Sequence, residues 1–198
     1  DIMASRVDYF KHAGQLLARL RELQPGRAEA AVLQKLSAVE ALIALQFYDD
    51  AEQALARLET SPTAAVENTF GLVYQGGLDD YRAERAYKRA IELDPHWAAP
   101  HYNLALLYNS QKKDGALPEL EEAAKLAPSN SAILEMLGDQ YFSNSKWAEA
   151  EGAYRKAIST GDKSDRLHTK LGHALYSQGL RDQADKEYKI ARELAGQK

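Results

Sequence analysis

The sequence predicts an all-α chain of stacked helical hairpins, on three observations. A pattern of small and aromatic residues recurs at a fixed interval, apolar residues fall at helical spacing throughout, and proline and glycine gather at the boundaries of the predicted elements. The pattern reads Gly71, Tyr74, Ala83, Tyr87, Ala90 and Pro95, then Gly138, Tyr141, Ala150, Tyr154 and Ala157, then Gly172, Leu175, Ala184, Tyr188 and Ala191. Gly172 follows Gly138 by 34 positions, and Ala184 follows Ala150 by the same 34. A period of this size marks units that cannot bury their apolar faces alone and must stack. No stretch sustains the apolar–polar alternation of a strand.

Each element follows from this register. The chain from 1 to 25 reads as a partial repeat, because Ala13, Leu17, Leu20 and Pro25 reproduce the steps of Ala83, Tyr87, Ala90 and Pro95 without a first helix before them. Residues 27–62 read as a degenerate repeat, with Ala51, Leu55 and Leu58 in its second helix and no small-residue crossing in its first, about Arg27 to Gln46. Full repeats are expected at 64–97, 98–130, 131–164 and 165–198, with hairpins at 64–95, 98–128, 131–162 and 165–196 and about eleven helices in all. In the second of these repeats Leu104, Ala105 and Tyr108 keep the 34-residue step, whereas Ala116, Leu120, Ala123 and Pro128 follow their counterparts by 33. One residue is therefore missing between Tyr108 and Ala116. Asp114 is the expected N-cap of the shortened second helix, and Pro118 falls in its first turn, where an N–H has no intrahelical partner anyway. The last helix, about Leu180 to Ala195, is dense in charge and suits a cap that closes a stack against water. The N-terminal residues Ile2, Met3, Val7, Tyr9 and Phe10 have no preceding helix to pack on, which predicts either that they cap the array from the side or, the favoured reading, that the chain was cut from a longer protein.

Glycine at 71, 138 and 172, with alanine at 83, 150 and 184, allows two helices of one hairpin to cross closely, and the repeat tyrosines fill the wider gaps. This arrangement resembles the tetratricopeptide repeat, a helix–turn–helix unit with large, Leu, Gly, Tyr, then Ala, aromatic, Ala and Pro positions. The resemblance is explicit from about residue 64 onward and fainter before it. It implies a right-handed α-solenoid whose first helices line an inner wall. Carried over residue by residue, that wall is Asn68, Thr69, Leu72 and Gln75, then Tyr102, Asn103, Leu106 and Asn109, then Glu135, Met136, Asp139 and Phe142, then Arg166, Lys170, His173 and Tyr176. Aromatics, amides and charges mixed along a groove suit a protein or peptide ligand. Tyr102, Phe142 and Tyr176 are the expected apolar anchors. The acids Glu135 and Asp139, followed by Arg166, Lys170 and His173, predict a ligand basic at one end and acidic at the other.

The same rows depart from two specialised patterns of the resembled family. A clamp for chaperone C-termini needs lysine and arginine in the repeat after its central asparagine, yet Ala132 and Met136 follow Asn103. An asparagine ladder needs successive asparagines where Thr69, Asn103, Met136 and Lys170 stand. A non-catalytic protein-binding scaffold without a cofactor is the expectation, with two alternatives: the substrate-recruiting repeats of a larger enzyme such as a glycosyltransferase, or a component of a bacterial envelope or secretion assembly. Self-association through the helical ends is a further expectation.

Other classes fit poorly. A net charge of −4 and an isoelectric point near 5.8 lack the concentrated basic face of a nucleic-acid binder. No stretch has the length of a transmembrane helix, so direct membrane insertion is not expected. With no cysteine, disulfides and thiolate zinc sites are excluded, which suits cytosol and periplasm alike. Of five histidines, His96 and His101, like His168 and His173, are five apart, which does not set two rings on one helical face for a metal. His101 and His168 share one repeat position and read as packing residues. Gly76-Gly77 closes a helical hairpin and follows no strand, so it is no phosphate loop.

Overall fold

A computed structural model describes residues 39, 42–56, 63–162 and 164–196. The expected partial repeat at 1–25, the first helix of the degenerate repeat and the apolar N-terminal residues lie outside the described residues. Among the described residues there are nine α-helices of a turn or more beyond the short helical end at 42–44, and no strand. They fall in two compact units divided between Pro95 and His96. The first holds α1 (Tyr48–Ala56), α2 (Ala64–Gly76) and α3 (Asp80–Leu93). The second holds α4 (Ala98–Ser110), α5 (Ala116–Leu126), α6 (Ser131–Ser143), α7 (Trp147–Ser159), α8 (Asp165–Ser177) and α9 (Arg181–Ala195). Within each unit, every helix packs on its neighbour in sequence.

The turns inside the hairpins share one chemistry. Leu78, Lys112, Ser145 and Gly179 occupy the same repeat position, and all four have positive φ. The next residue's N–H reaches back five positions: Asp79 to Tyr74 O at 2.8 Å, Lys113 to Tyr108 O at 2.9 Å, Lys146 to Tyr141 O at 2.8 Å and Leu180 to Leu175 O at 3.0 Å. This closure satisfies carbonyls that the helix end leaves open, and it recurs although only one of the four turns has glycine. Side chains cap several helix starts: Thr63 accepts from Val66 N at 3.3 Å, Asn130 from Ala132 N at 3.1 Å, and Ser164 from Leu167 N at 3.3 Å.

The 33-residue step has a physical outcome in α5. Helices α3, α7 and α9 begin three residues before Ala83, Ala150 and Ala184, whereas α5 begins at Ala116 itself. The turn before it is intact, so the missing residue costs α5 its first helical turn. The expected N-cap at Asp114 is not found: Gly115 is the cap, at φ 114°, with no side-chain cap bond. A residue that must take positive φ next to Tyr108 displaces the aspartate from that role. Pro118 is the third residue of α5, where its missing N–H costs no helical bond.

The crossing glycines make room for a ring. A Cβ on Gly138 would lie 2.5 Å from Tyr154 Cε1, and one on Gly71 or Gly172 would likewise overlap the ring of Tyr87 or Tyr188. Tyr87 and Tyr154 are sealed at 0% and 2% exposure, each ring taking roughly 150–250 Å² from water. The α4–α5 hairpin solves the same volume problem differently. At the corresponding repeat positions it has Ala105 and Leu120, both fully buried, a larger residue than glycine on one helix and a smaller one than tyrosine on the other.

Candidate functional site

The positions predicted for the inner wall sort by burial into two groups. Asn68, Thr69 and Leu72 on α2, Tyr102 and Asn103 on α4, and Glu135 on α6 are buried. Thr69 Oγ1 donates to Ala65 O at 2.8 Å, and half-buried Gln75 accepts from Tyr87 Oη at 2.8 Å. Leu106, Asn109, Met136, Asp139, Phe142 and Lys170 are partly exposed, and Arg166, His173 and Tyr176 are exposed. Tyr102 is only 5% exposed and is not an open anchor, which corrects the sequence expectation. Burial, then the charges of Glu135 and Asp139, push its hydroxyl up to about 12.

Where α6 and α8 meet, the predicted charges answer one another. Lys170 Nζ lies 2.6 Å from Glu135 Oε1 and 2.6 Å from Asp139 Oδ2. Arg166 Nη2 donates to the other oxygen of Glu135 at 2.7 Å, and Tyr154 Oη donates to Asp139 Oδ1 at 2.8 Å. Burial and the neighbouring carboxylate of Asp139 raise the Tyr154 hydroxyl above the ordinary tyrosine range. Two acids and two bases thus form a neutral network joining adjacent repeats. The expected ligand with a basic end on Glu135 and Asp139 is corrected accordingly, since those carboxylates already hold cations of the protein. One turn further along α6, Gln140 Nε2 donates to Asn109 Oδ1 at 2.6 Å, and Asn109 Nδ2 approaches Met136 Sδ at 3.8 Å.

Beyond the network the wall opens. Helix α8 turns Leu167, Leu171 and Leu175 into the core and holds Arg166, His173 and Tyr176 out, as a 3.6-residue period requires. Tyr176 is 56% exposed and lies beside Arg181, whose guanidinium carbon is 5.8 Å from the ring centroid. Phe142, its counterpart one repeat earlier, meets Trp147 edge to face at 4.8 Å. His173 meets the Tyr188 ring at 5.6 Å.

The two histidines read as packing residues do pack, each with a carboxylate of its own hairpin. His101 Nδ1 lies 2.7 Å from Glu119 Oε2, and His168 Nδ1 lies 2.7 Å from Glu187 Oε2. The sequence reading missed these partners. It also missed the clamp of the first unit, where Arg82 bonds Asp79 Oδ2 at 2.5 Å and Glu52 Oε1 at 2.9 Å while lying 4.5 Å over the Tyr74 ring. Among the described residues no group of three or more His, Asp or Glu side chains is placed to hold a metal ion, and no helix is long and apolar enough to cross a membrane.

No family model matches the chain. Small glutamine-rich tetratricopeptide repeat-containing protein 2 of Mycosarcoma maydis is 30% identical over 90 residues, which are 44% of this chain and 26% of that protein. A crystal structure of MamA superposes with a TM-score of 0.71 and 25% identity, over 80% of this chain and 95% of the other. The repeat spacing, the hairpin geometry and the named relative agree. In repeat spacing and hairpin geometry the chain resembles tetratricopeptide-repeat proteins. The chain spans about a quarter of the length of the curated relative it matches. A MamA AMB-1 structure, 19% identical, aligns over 85% of this chain and 93% of its own at a TM-score of 0.70, a likeness of fold alone.

Proposed function

We propose that this repeat protein is a non-catalytic scaffold that holds a protein or peptide segment along its first helices, with the contact centred on Phe142, Arg166, His173 and Tyr176. The observation that supports this reading best is the exposed face of α8. A tyrosine that is 56% exposed, on the same helix as exposed Arg166 and His173, combines an aromatic anchor with hydrogen-bond donors, and Tyr and Arg are enriched at binding hot spots. A ligand suited to it presents an apolar side chain to Tyr176 and Phe142, and an acceptor or carboxylate to Arg166 and His173. Arg166 keeps capacity for this, because one bond to Glu135 uses one of its five N–H donors.

The test is selection of a random peptide library on the wild-type chain, with recovered peptides re-measured on Tyr176→Ala and His173→Ala. Both variants are expected to release the peptides faster, since an anchor acts mainly through dissociation. Peptides that bind these variants as well as wild type, and lose affinity on changes to the outer face of α7 or α9, contradict the reading.

A further inference from the structure

The end of the second unit repeats a stacking face with altered chemistry. Tyr154, Ala157 and Ile158 of α7 pack in one cluster with Leu167, Leu171 and Leu175 of α8. Their counterparts one repeat on are Tyr188, Ala191 and Arg192 of α9. Here they line an open cleft of about 520 Å³ together with Asp165 and Asp185. An arginine therefore stands where the preceding repeat has an isoleucine, and Tyr188 is half-buried where Tyr154 is sealed.

This face differs in chemistry from the one that seats α8. In the preceding repeat, Glu135 and Asp139 seat the following first helix by gripping its Arg166 and Lys170. The residues 34 positions on are Thr169 and His173, so that acid grip is gone. In its place α9 carries Asp185 and Arg192, seven residues and two turns apart on one helical face, with Tyr188 between them. Arg192 Nε donates to Tyr188 O at 3.3 Å, which holds the guanidinium over the tyrosine's turn.

A helix face with an acid at one end, a base at the other and a tyrosine at the centre is complementary to itself when laid antiparallel. We propose that the chain forms a two-fold dimer through α9, in which Asp185 of each copy meets Arg192 of the other and Tyr188 and Ala191 are covered near the axis. Such an interface uses the same patch on both copies, as closed symmetry requires. The face is narrow, so the dimer is weak, with a dissociation constant on the order of 10–100 µM.

Sedimentation equilibrium of the 198-residue chain, from about 1 to about 500 µM, tests this. Wild type is expected to pass from monomer to dimer across that range. Arg192→Glu and Asp185→Lys alone each place like charges in contact and weaken the dimer by about tenfold or more. The double variant Asp185→Lys/Arg192→Glu restores both pairs in reverse and is expected within about threefold of wild type. Circular dichroism of each variant establishes that it folds. A wild type that stays monomeric, as it would if some other helix were the natural occupant, overturns the proposal. So do single variants that dimerise like wild type, or a double variant that fails to recover.

Discussion

The two halves of α8 differ in a way that separates structure from function. Its first half sends Arg166 and Lys170 across to Glu135 and Asp139 on α6, and the charges cancel within the protein. Its second half sends His173 and Tyr176 outward, the first against the Tyr188 ring, the second beside the Arg181 guanidinium, and both exposed to solvent. The same row of the repeat therefore serves first as glue between repeats and then as open surface. A charge on a predicted groove carries no binding role until its internal partners have been counted.

The broadest way to break the closed half is alkali. Tyr102 sits beside Glu135 and Asp139 with its hydroxyl pushed up to about 12 by burial first and then by those charges. The unfolded chain releases this proton near the ordinary tyrosine value, so above that value it binds fewer protons than the folded chain. Stability is fully present below about pH 10 and is lost as pH rises toward about 12. Ultraviolet titration of tyrosine ionisation together with far-ultraviolet circular dichroism should show Tyr102 ionising only as the helices melt. Ionisation of every tyrosine in a chain that stays fully helical contradicts this.

Gly138→Leu attacks the same half from beneath. Its side chain would overlap the Tyr154 ring and push the hydroxyl away from Asp139, at a cost of about 3 kcal/mol or more in chemical denaturation. Gly77→Ala, at φ −76° with no neighbour closer than 3.5 Å, is the mild control. Lys170→Glu comes next. It leaves three acids together, one of them buried Glu135, at about 2–3 kcal/mol once the partial exposure of Lys170 and Asp139 is allowed for. A loss under about 0.5 kcal/mol would place Lys170 among ordinary surface residues.

The smallest effect is a gain. Gly152 lies inside α7, and a Cβ there would meet nothing within 4 Å. Gly152→Ala is expected to stabilise by about 0.5–1 kcal/mol and to leave peptide binding unchanged. It raises stability without touching either half of α8, and so separates a binding change from a stability change.

Legibility in the sequence followed the kind of interaction. Gly71, Gly138 and Gly172 could be recognised because volume at a crossing is set by the pair of residues themselves. Hairpin ends could be recognised because the turn needs the same backbone in each repeat. The shortened α5 was visible in the 33-residue step, but its cap was not, since Asp114 looked suitable and only the backbone shows that Gly115 must take positive φ there. The ion network was hidden because a repeat register assigns a face and names no partner. Its signal lies in the spacing between repeats: Lys170 pairs with residues 35 and 31 positions earlier, and Arg166 with one 31 earlier. Opposite charges at one repeat length plus one, or minus three, sit on facing turns of adjacent first helices.

A double-mutant cycle on Glu135→Gln and Lys170→Met, measured by urea denaturation, tests most directly whether the inner-wall charges are closed on one another. The account predicts a coupling energy of about 1 kcal/mol or more between the two positions, because each side chain is held at 2.6 Å and Glu135 is buried. Additive losses, with coupling below about 0.3 kcal/mol, would mean that the two charges act independently and would contradict the account.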